Sequence, residues 1–256
     1  YDLKILPSKE NKSVSDANST LLDIQGLSKT YGGIKALKNL NMTLQSYQIV
    51  GLVGPNGSGK STLINIISGL QRQDEGTIKL DASFIENTPS YKRSNRGIAR
   101  TYQTSLRSSG LDVYQAILAC SSNQHNLEHR DNQTHAILRN SRLTSKTGSM
   151  VGDLSTADAR ELDLCMALAT EPKILLLDEP AAGLSSAEQQ FLSTKIRQLA
   201  QSGISILIVD HSMDFLLPVV DRLICLDQGS VVAEGTPAEV LADPKALKLY
   251  FGNSRL

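Results

Sequence analysis

The residues whose types and spacing most specifically point to chemistry lie in Gly51-Leu52-Val53-Gly54-Pro55-Asn56-Gly57-Ser58-Gly59-Lys60-Ser61-Thr62, where Gly54, Gly59, Lys60 and Ser61 fill the pattern G-x-x-x-x-G-K-[ST]. Such a loop turns successive backbone N–H groups inward onto a polyphosphate, and a Cβ at several of its positions would block the turn. Asn56, Gly57, Ser58 and Gly59 form the cradle, and Lys60 adds a point charge for the terminal phosphates. Ser61 offers a hydroxyl ligand to Mg²⁺, and Thr62 leads into a helix whose positive end faces the anion.

A second group lies downstream. Ile174-Leu175-Leu176-Leu177 reads as a central strand buried on both faces, and it ends in the two carboxylates Asp178 and Glu179. Ligands of open α/β sheets bind at that edge. Mg²⁺ takes oxygen ligands, so Asp178, the Ser61 hydroxyl and phosphate oxygens suit it. Glu179 then stands where a carboxylate accepts a proton from, or orients, an attacking water. His211, at the end of another strand, is a hydrogen-bond partner for a γ-phosphate. The alternatives are an aspartate that caps a loop and a strand-end histidine satisfied locally.

These residues need an alternating framework. Ile49–Val53 reads as a buried strand, and Leu63, Ile66, Ile67 and Leu70 mark one face of the helix after the loop. Before them, Leu22, Ile24 and Leu27, then Leu37, Leu40, Met42 and Leu44, are strand-like. Gly76–Asp81 and Gly97–Gln103 read as strands, the second ending on Gln103. From Thr104 to about Met150 the chain turns polar with sparse apolar positions, as in an inserted helical subdomain. A helix opens at Leu154–Asp158 and runs through Leu162, Met166 and Leu168. Ser185 with Glu188 makes a capping box, strands follow at Ile204–Val209 and Leu223–Leu226, and Thr236-Pro237-Ala238-Glu239 starts a last helix. This alternation implies an α/β fold with a largely parallel sheet.

Composition excludes several classes. The 256 residues hold 26 Lys+Arg against 26 Asp+Glu, so no net field favours nucleic acid or an anionic membrane. Cys120, Cys165 and Cys225 are far apart and odd in number, against a disulfide framework or a short-spaced metal site. No apolar run reaches the roughly 18 residues of a spanning helix. His125, His129 and His135 sit in polar sequence without a carboxylate ligand pattern and read as solvated surface histidines. Residues 1–20 are polar and read as a linker to a preceding domain or as a plain extension.

With these motifs in place, the chain from residue 21 to 253 resembles the nucleotide-binding subunit of an ABC transporter. The resemblance implies a P-loop NTPase core with a mostly parallel sheet, an N-terminal antiparallel β subdomain and an inserted α-helical subdomain at about 104–170, within one ATPase domain over 21–256. It makes Tyr31 the aromatic that stacks on adenine, Gly54–Thr62 the Walker A loop and Gln103 the Q-loop glutamine that reaches Mg²⁺. Asp178 ends Walker B, Glu179 matches the catalytic glutamate, His211 the switch histidine, and Ser155 the signature serine. Asp178-Glu179-Pro180-Ala181-Ala182-Gly183-Leu184, Arg100-Thr101-Tyr102-Gln103 and Glu234-Gly235-Thr236-Pro237 resemble the branched-chain amino acid importer group, to which urea and amide importers are related. The implied cofactors are ATP and Mg²⁺. The implied partners are transmembrane permease subunits or a fused permease domain, and a second nucleotide-binding subunit, identical or different. The implied place is the cytoplasmic face of the bacterial inner membrane, held peripherally.

One motif departs from the family. Thr156, Ala157 and Asp158 stand where Gly, Gly and Gln follow the signature serine, and Ser185 stands where the D-loop commonly has aspartate. Side chains then occupy positions where backbone approaches the opposite subunit's ATP, and Asp158 brings a negative charge near an anion. Leu106, Leu111, Val113 and Tyr114 are candidate contacts for a transmembrane partner, or else local core. A small-molecule kinase leaves Asp178-Glu179 with His211, and Tyr31 and Gln103, unexplained, and a GTPase lacks its Asn-Lys-x-Asp guanine reader.

Overall fold

The computed structural model describes residues 19–101, 110–121 and 126–251. It opens with two long strands, β1 (Thr20–Tyr31) and β2 (Ile34–Gln45), joined by a tight turn at Gly32-Gly33. β3 (Ile49–Val53) leads into α1 (Lys60–Ile67), and β4 (Glu75–Leu80) and β5 (Ser83–Phe84) follow. Then come α2 (Ser90–Asn95), β6 (Ile98–Arg100), α3 (Val113–Ala119), α4 (Leu127–Arg139) and α5 (Thr156–Ala169). The chain continues through β7 (Ile174–Asp178), α6 (Ser186–Gln201), β8 (Ser205–Val209), α7 (Met213–Leu216), β9 (Arg222–Asp227), β10 (Ser230–Gly235), α8 (Pro237–Ala242) and α9 (Pro244–Phe251).

Among the described residues there are two sheets. One is antiparallel, in the order β2-β1-β4-β5; the other runs β10-β9-β3-β8-β7-β6, parallel except where β10 pairs with β9. β3, β8 and most of β7 are buried along their length, because both faces of the parallel sheet are covered. Alternate residues feed two cores. Val50, Leu52, Ile174, Leu176, Leu207 and Val209 pack with α1 and the antiparallel sheet, while Ile49, Val53, Leu175, Leu177, Ile206 and Ile208 pack with the helices of the other side. The sheet is thus the middle layer, and its buried strands fix where their C-terminal ends deliver side chains.

Local chemistry sets the helix ends. Ser185 forms the reciprocal capping box with Glu188 that was read from the sequence, and Thr236, read as a helix start, forms a second one with Glu239. α1 is shorter than its apolar spacing suggested. Gly69 takes φ +78°, the amides of Leu70 and Gln71 both bond Asn65 O, at 2.9 and 3.1 Å, and Leu70 is turned outward and exposed. Of the strand expected over 97–103, residues Ile98–Arg100 form β6 and Thr101 N–H donates to Leu176 O at 3.0 Å, while Tyr102 and Gln103 lie outside the described residues.

In the polar stretch, α3, α4 and α5 pack on one another. Val113, offered from sequence as a partner contact or local core, is fully buried with Ile117, Ile137 and Leu138, and so belongs to the core. Tyr114 packs partly against that core and donates its hydroxyl to Asp131, which pushes the phenol up to about 12. Leu106 and His125 lie outside the described residues. His129 lies 3.1 Å from Glu171 and His135 3.6 Å from Asp131, both partly exposed, and no cluster of three metal-ligating groups occurs among the described residues.

Candidate functional site

The phosphate loop joins the end of β3 to the start of α1, and its two outer glycines are held by neighbouring backbone. At Gly54 (φ +149°) a Cβ would come within 2.2 Å of Leu226 O; at Gly59 (φ +108°), within 2.5 Å of Ala36 O. No side chain fits at either place, so the loop is clasped between the β2 strand and the end of β9. Gly229 N–H donates to Ser58 O at 3.0 Å and Lys38 N–H to Gly229 O at 2.8 Å, which extends the clasp through the β9–β10 turn. Asn56, Gly57 and Ser61 are exposed, Thr62 is half-buried, and Ser58 is buried.

Lys60 closes the loop from inside. Its ammonium donates to Gly54 O at 2.8 Å and Pro55 O at 2.9 Å, and it is 6% exposed. Burial lowers its pKa, and the negative charges of Glu179 and Asp178 offset that shift only in part.

Adjacency in the sheet brings the second group to the same edge, because β8 lies between β3 and β7. Asp178 ends β7 and accepts a hydrogen bond from Arg100 at 2.9 Å. Glu179 follows in the left-handed region at φ +49°, its amide tied to Val209 O at 2.7 Å. Its Oε1 lies 3.0 Å from His211 Nε2. Asp210, nearly buried, accepts from Ala181 N–H at 3.1 Å and Ser212 N–H at 2.9 Å, which pins the loop after β7 to the end of β8. A carboxylate held beside an imidazole in this way is placed to take a proton from water or to orient it. Arg100 and Asp210 gave no chemical signal of their own in the sequence.

Two other expected residues lie on different elements. Tyr31 ends β1, is 41% exposed, carries the Lys29 ammonium 5.4 Å from its ring centre and donates its hydroxyl to Gln71 at 2.5 Å. Ser155 caps α5; its Oγ accepts from Asp158 N–H at 3.2 Å and donates to Asp158 Oδ2 at 2.6 Å. Lys146 pairs with the same carboxylate. Burial alone would raise the Asp158 carboxyl, but hydrogen bonds from Lys146 and Ser155 outweigh it and hold the group below the usual carboxylate range. The bare negative charge expected at Asp158 is therefore compensated within the chain.

Residues 37–182, more than half of the chain, match the ABC transporter family. The chain belongs to that family. It is 28% identical to the high-affinity branched-chain amino acid transport ATP-binding protein BraF of Pseudomonas aeruginosa, over 91% of this chain and 98% of that one. It is 33% identical to the lipopolysaccharide export system ATP-binding protein LptB of Escherichia coli, over 90% and 97%. A nucleotide-free ATP-binding cassette from an ABC transporter superposes with a TM-score of 0.83 at 28% identity, covering 91% of this chain and all of that one.

This chain is thus an ABC ATPase, and its loop suits the nucleotide. Among the described residues, the buried Lys60 ammonium bonds the loop's own carbonyls and a serine hydroxyl, and an anion offers it a stronger partner. The Ser61 hydroxyl and the Asp178 carboxylate are oxygen donors, the set a hard divalent cation prefers. No helix among the described residues is long and apolar enough to cross a membrane.

Proposed function

We propose that this ABC ATPase powers an importer of branched-chain amino acids or a related small polar solute, at the cytoplasmic face of a bacterial inner membrane. The likeness to BraF supports the amino acid reading. The likeness to LptB favours a second reading, export of a lipidic substrate, at a somewhat higher identity. The three importer-like segments around residues 100, 178 and 234 weigh toward the first. Permease subunits or a fused permease domain, with a second nucleotide-binding subunit, complete the assembly.

In this reading Asn56 to Thr62 wrap the phosphates of ATP and Lys60 leaves the loop carbonyls for the terminal phosphates. Tyr31 stacks on the adenine, and Ser61, Asp178 and Gln103 hold Mg²⁺. The ion, when bound, neutralises charge on the β- and γ-phosphates. Glu179 orients and deprotonates the water, and His211 fixes that carboxylate and bonds the γ-phosphate. The observation that carries this assignment is the 3.0 Å contact between Glu179 and His211, which follow β7 and β8 at the same sheet edge where β3 delivers the phosphate loop.

The signature end supports a narrower statement. Ser155 gives its hydroxyl to Asp158, and Thr156 and Ala157 place Cβ atoms where glycine is usual. This subunit therefore completes an opposite ATP site poorly, and pairs with a different subunit whose signature is intact, giving one weak and one active site.

The experiment is hydrolysis and leucine uptake in membrane vesicles that carry the assembled transporter. Glu179→Gln is expected to abolish both while nucleotide still binds. Hydrolysis that survives the substitution sinks the catalytic assignment, and ATP-driven transport without leucine uptake sinks the solute. Vanadate trapping of equal nucleotide at both sites sinks the asymmetry.

A further inference from the structure

Arg100 is a charged residue at the end of β6, and its side chain is 12% exposed. Its guanidinium spans two elements of the site. NH1 donates to Asn65 Oδ1 at 2.5 Å, and NH2 donates to Asp178 Oδ2 at 2.9 Å. Asn65 lies on α1, one turn beyond Ser61, so a single planar group ties the helix of the phosphate loop to the last residue of β7.

We propose that Arg100 is a positioning residue that fixes the Asp178 carboxylate for Mg²⁺. The inference rests on the reading of Asp178 as a ligand. A carboxylate at a strand end rotates about its side-chain bonds, and every orientation lost on binding metal costs affinity. Arg100 removes that freedom beforehand by holding one oxygen and leaving the other for the ion or its waters. The planar fork is suited to the task because its two donors keep a fixed angle, so Asn65 on one arm orients the other arm. Groups outside the ligand set that orient a ligand commonly matter for affinity by one to two orders of magnitude.

Arg100 also has a place in the chain that bears on the site. Its neighbour Thr101 still bonds Leu176 O, so the registration of β6 with β7 extends through Thr101. The Arg100 side chain thus adds a direct link to Asp178 beside the backbone pairing of β6 with β7.

The test is titration of the full chain with a fluorescent ATP analogue, at rising Mg²⁺ and separately in EDTA. Arg100→Ala is expected to raise the Mg²⁺ concentration for half-maximal binding about tenfold, with binding in EDTA unaltered. Arg100→Lys, a point charge without the fork, recovers part of the loss. Asn65→Ala keeps the ion pair and frees the second arm, and shifts the half-point in the same direction by less; it stands in should Arg100→Ala fail to fold. A melting point lowered in these variants with no change in the Mg²⁺ half-point would make Arg100 a structural ion pair and overturn the proposal. Tighter Mg²⁺ binding would make it a competing cation and overturn it too. Asp178→Asn separates the two readings: if it leaves the Mg²⁺ half-point unmoved, the ligand assignment itself fails, whereas if it raises the half-point and Arg100→Ala does not, only the positioning role fails.

Discussion

Ser155 Oγ donates to Asp158 Oδ2 at 2.6 Å, three residues along the same helix, so the serine that opens α5 has its hydroxyl bound by its own first turn. Lys146 braces the pair from outside the helix. In the family pattern that hydroxyl and the two amides after it face another subunit's nucleotide. Here the carboxylate occupies the serine, and Lys146 supplies the cation that lets it stay charged while 5% exposed.

Restoring the motif should therefore trade stability for activity. Thr156→Gly, Ala157→Gly and Asp158→Gln together place two glycines in the first turn of α5, each costing roughly 0.5–1 kcal/mol against alanine, and leave Lys146 without its partner. The variant is expected to melt lower than the natural chain and, in isolation, to gain hydrolysis that rises with the square of protein concentration. Steady-state hydrolysis over a concentration series checks this. Equal activity of both chains would make the three residues neutral.

The Asp158 carboxyl also sets a pH dependence. Its folded value is held below the ordinary 3.8, so its contribution is present above that value and disappears as pH falls through the lower, folded one. Asp158→Ala is expected to cost about 1.5 kcal/mol at neutral pH, the low end for hydrogen bonds to a charged group because Lys146 is partly in solvent. The two chains should converge in stability in acid below the usual carboxylate range. Denaturant midpoints measured at neutral and acid pH decide it; a gap that persists in acid removes the linkage.

Lys60 has a structural duty as well as an electrostatic one. Its ammonium satisfies Gly54 O and Pro55 O inside the loop, so Lys60→Ala leaves two partly buried carbonyls short of a donor at about 1–2 kcal/mol. The variant is expected both to lose ATP binding and to melt at lower temperature without ligand. An unchanged melting point would mean that water replaces the ammonium in the free loop.

Much of this was legible from residue types. Phosphate-loop glycines, a strand ending in Asp178-Glu179 and a strand-end His211 announce themselves because each answers a local requirement of turn, burial or charge. The capping box at Ser185 and the helix start at Thr236 were readable for the same reason. What escaped depends on contacts between distant elements. Arg100 meets Asn65 and Asp178 only through strand order, and nothing in the spacing of residues 65, 100 and 178 reveals it. Val113 could be read from sequence as partner contact or as local core, and the packing of α3, α4 and α5 decides for core. Leu70 kept the helical period, yet Gly69 had already ended the helix.

A last prediction concerns how α5 is held. Glu161 and Lys195 form an ion pair between α5 and α6, with side chains 4% and 5% exposed. Cys165, fully buried beside them, has its thiol pushed up to about 12 by burial, so it stays neutral and adds no competing charge. Glu161→Ala strands the Lys195 ammonium among apolar residues and is expected to cost about 3–5 kcal/mol, since one partner of a buried pair then lacks compensation. Replacing both with leucine and methionine removes the two charges together, and much of the loss should return. A double-mutant cycle by chemical denaturation measures the difference. Recovery of stability with restored hydrolysis in the assembled transporter would make the pair a packing device. Recovery of stability without hydrolysis would mean that the link from α6 to the helix bearing Ser155 needs the ion pair to keep α5 in place.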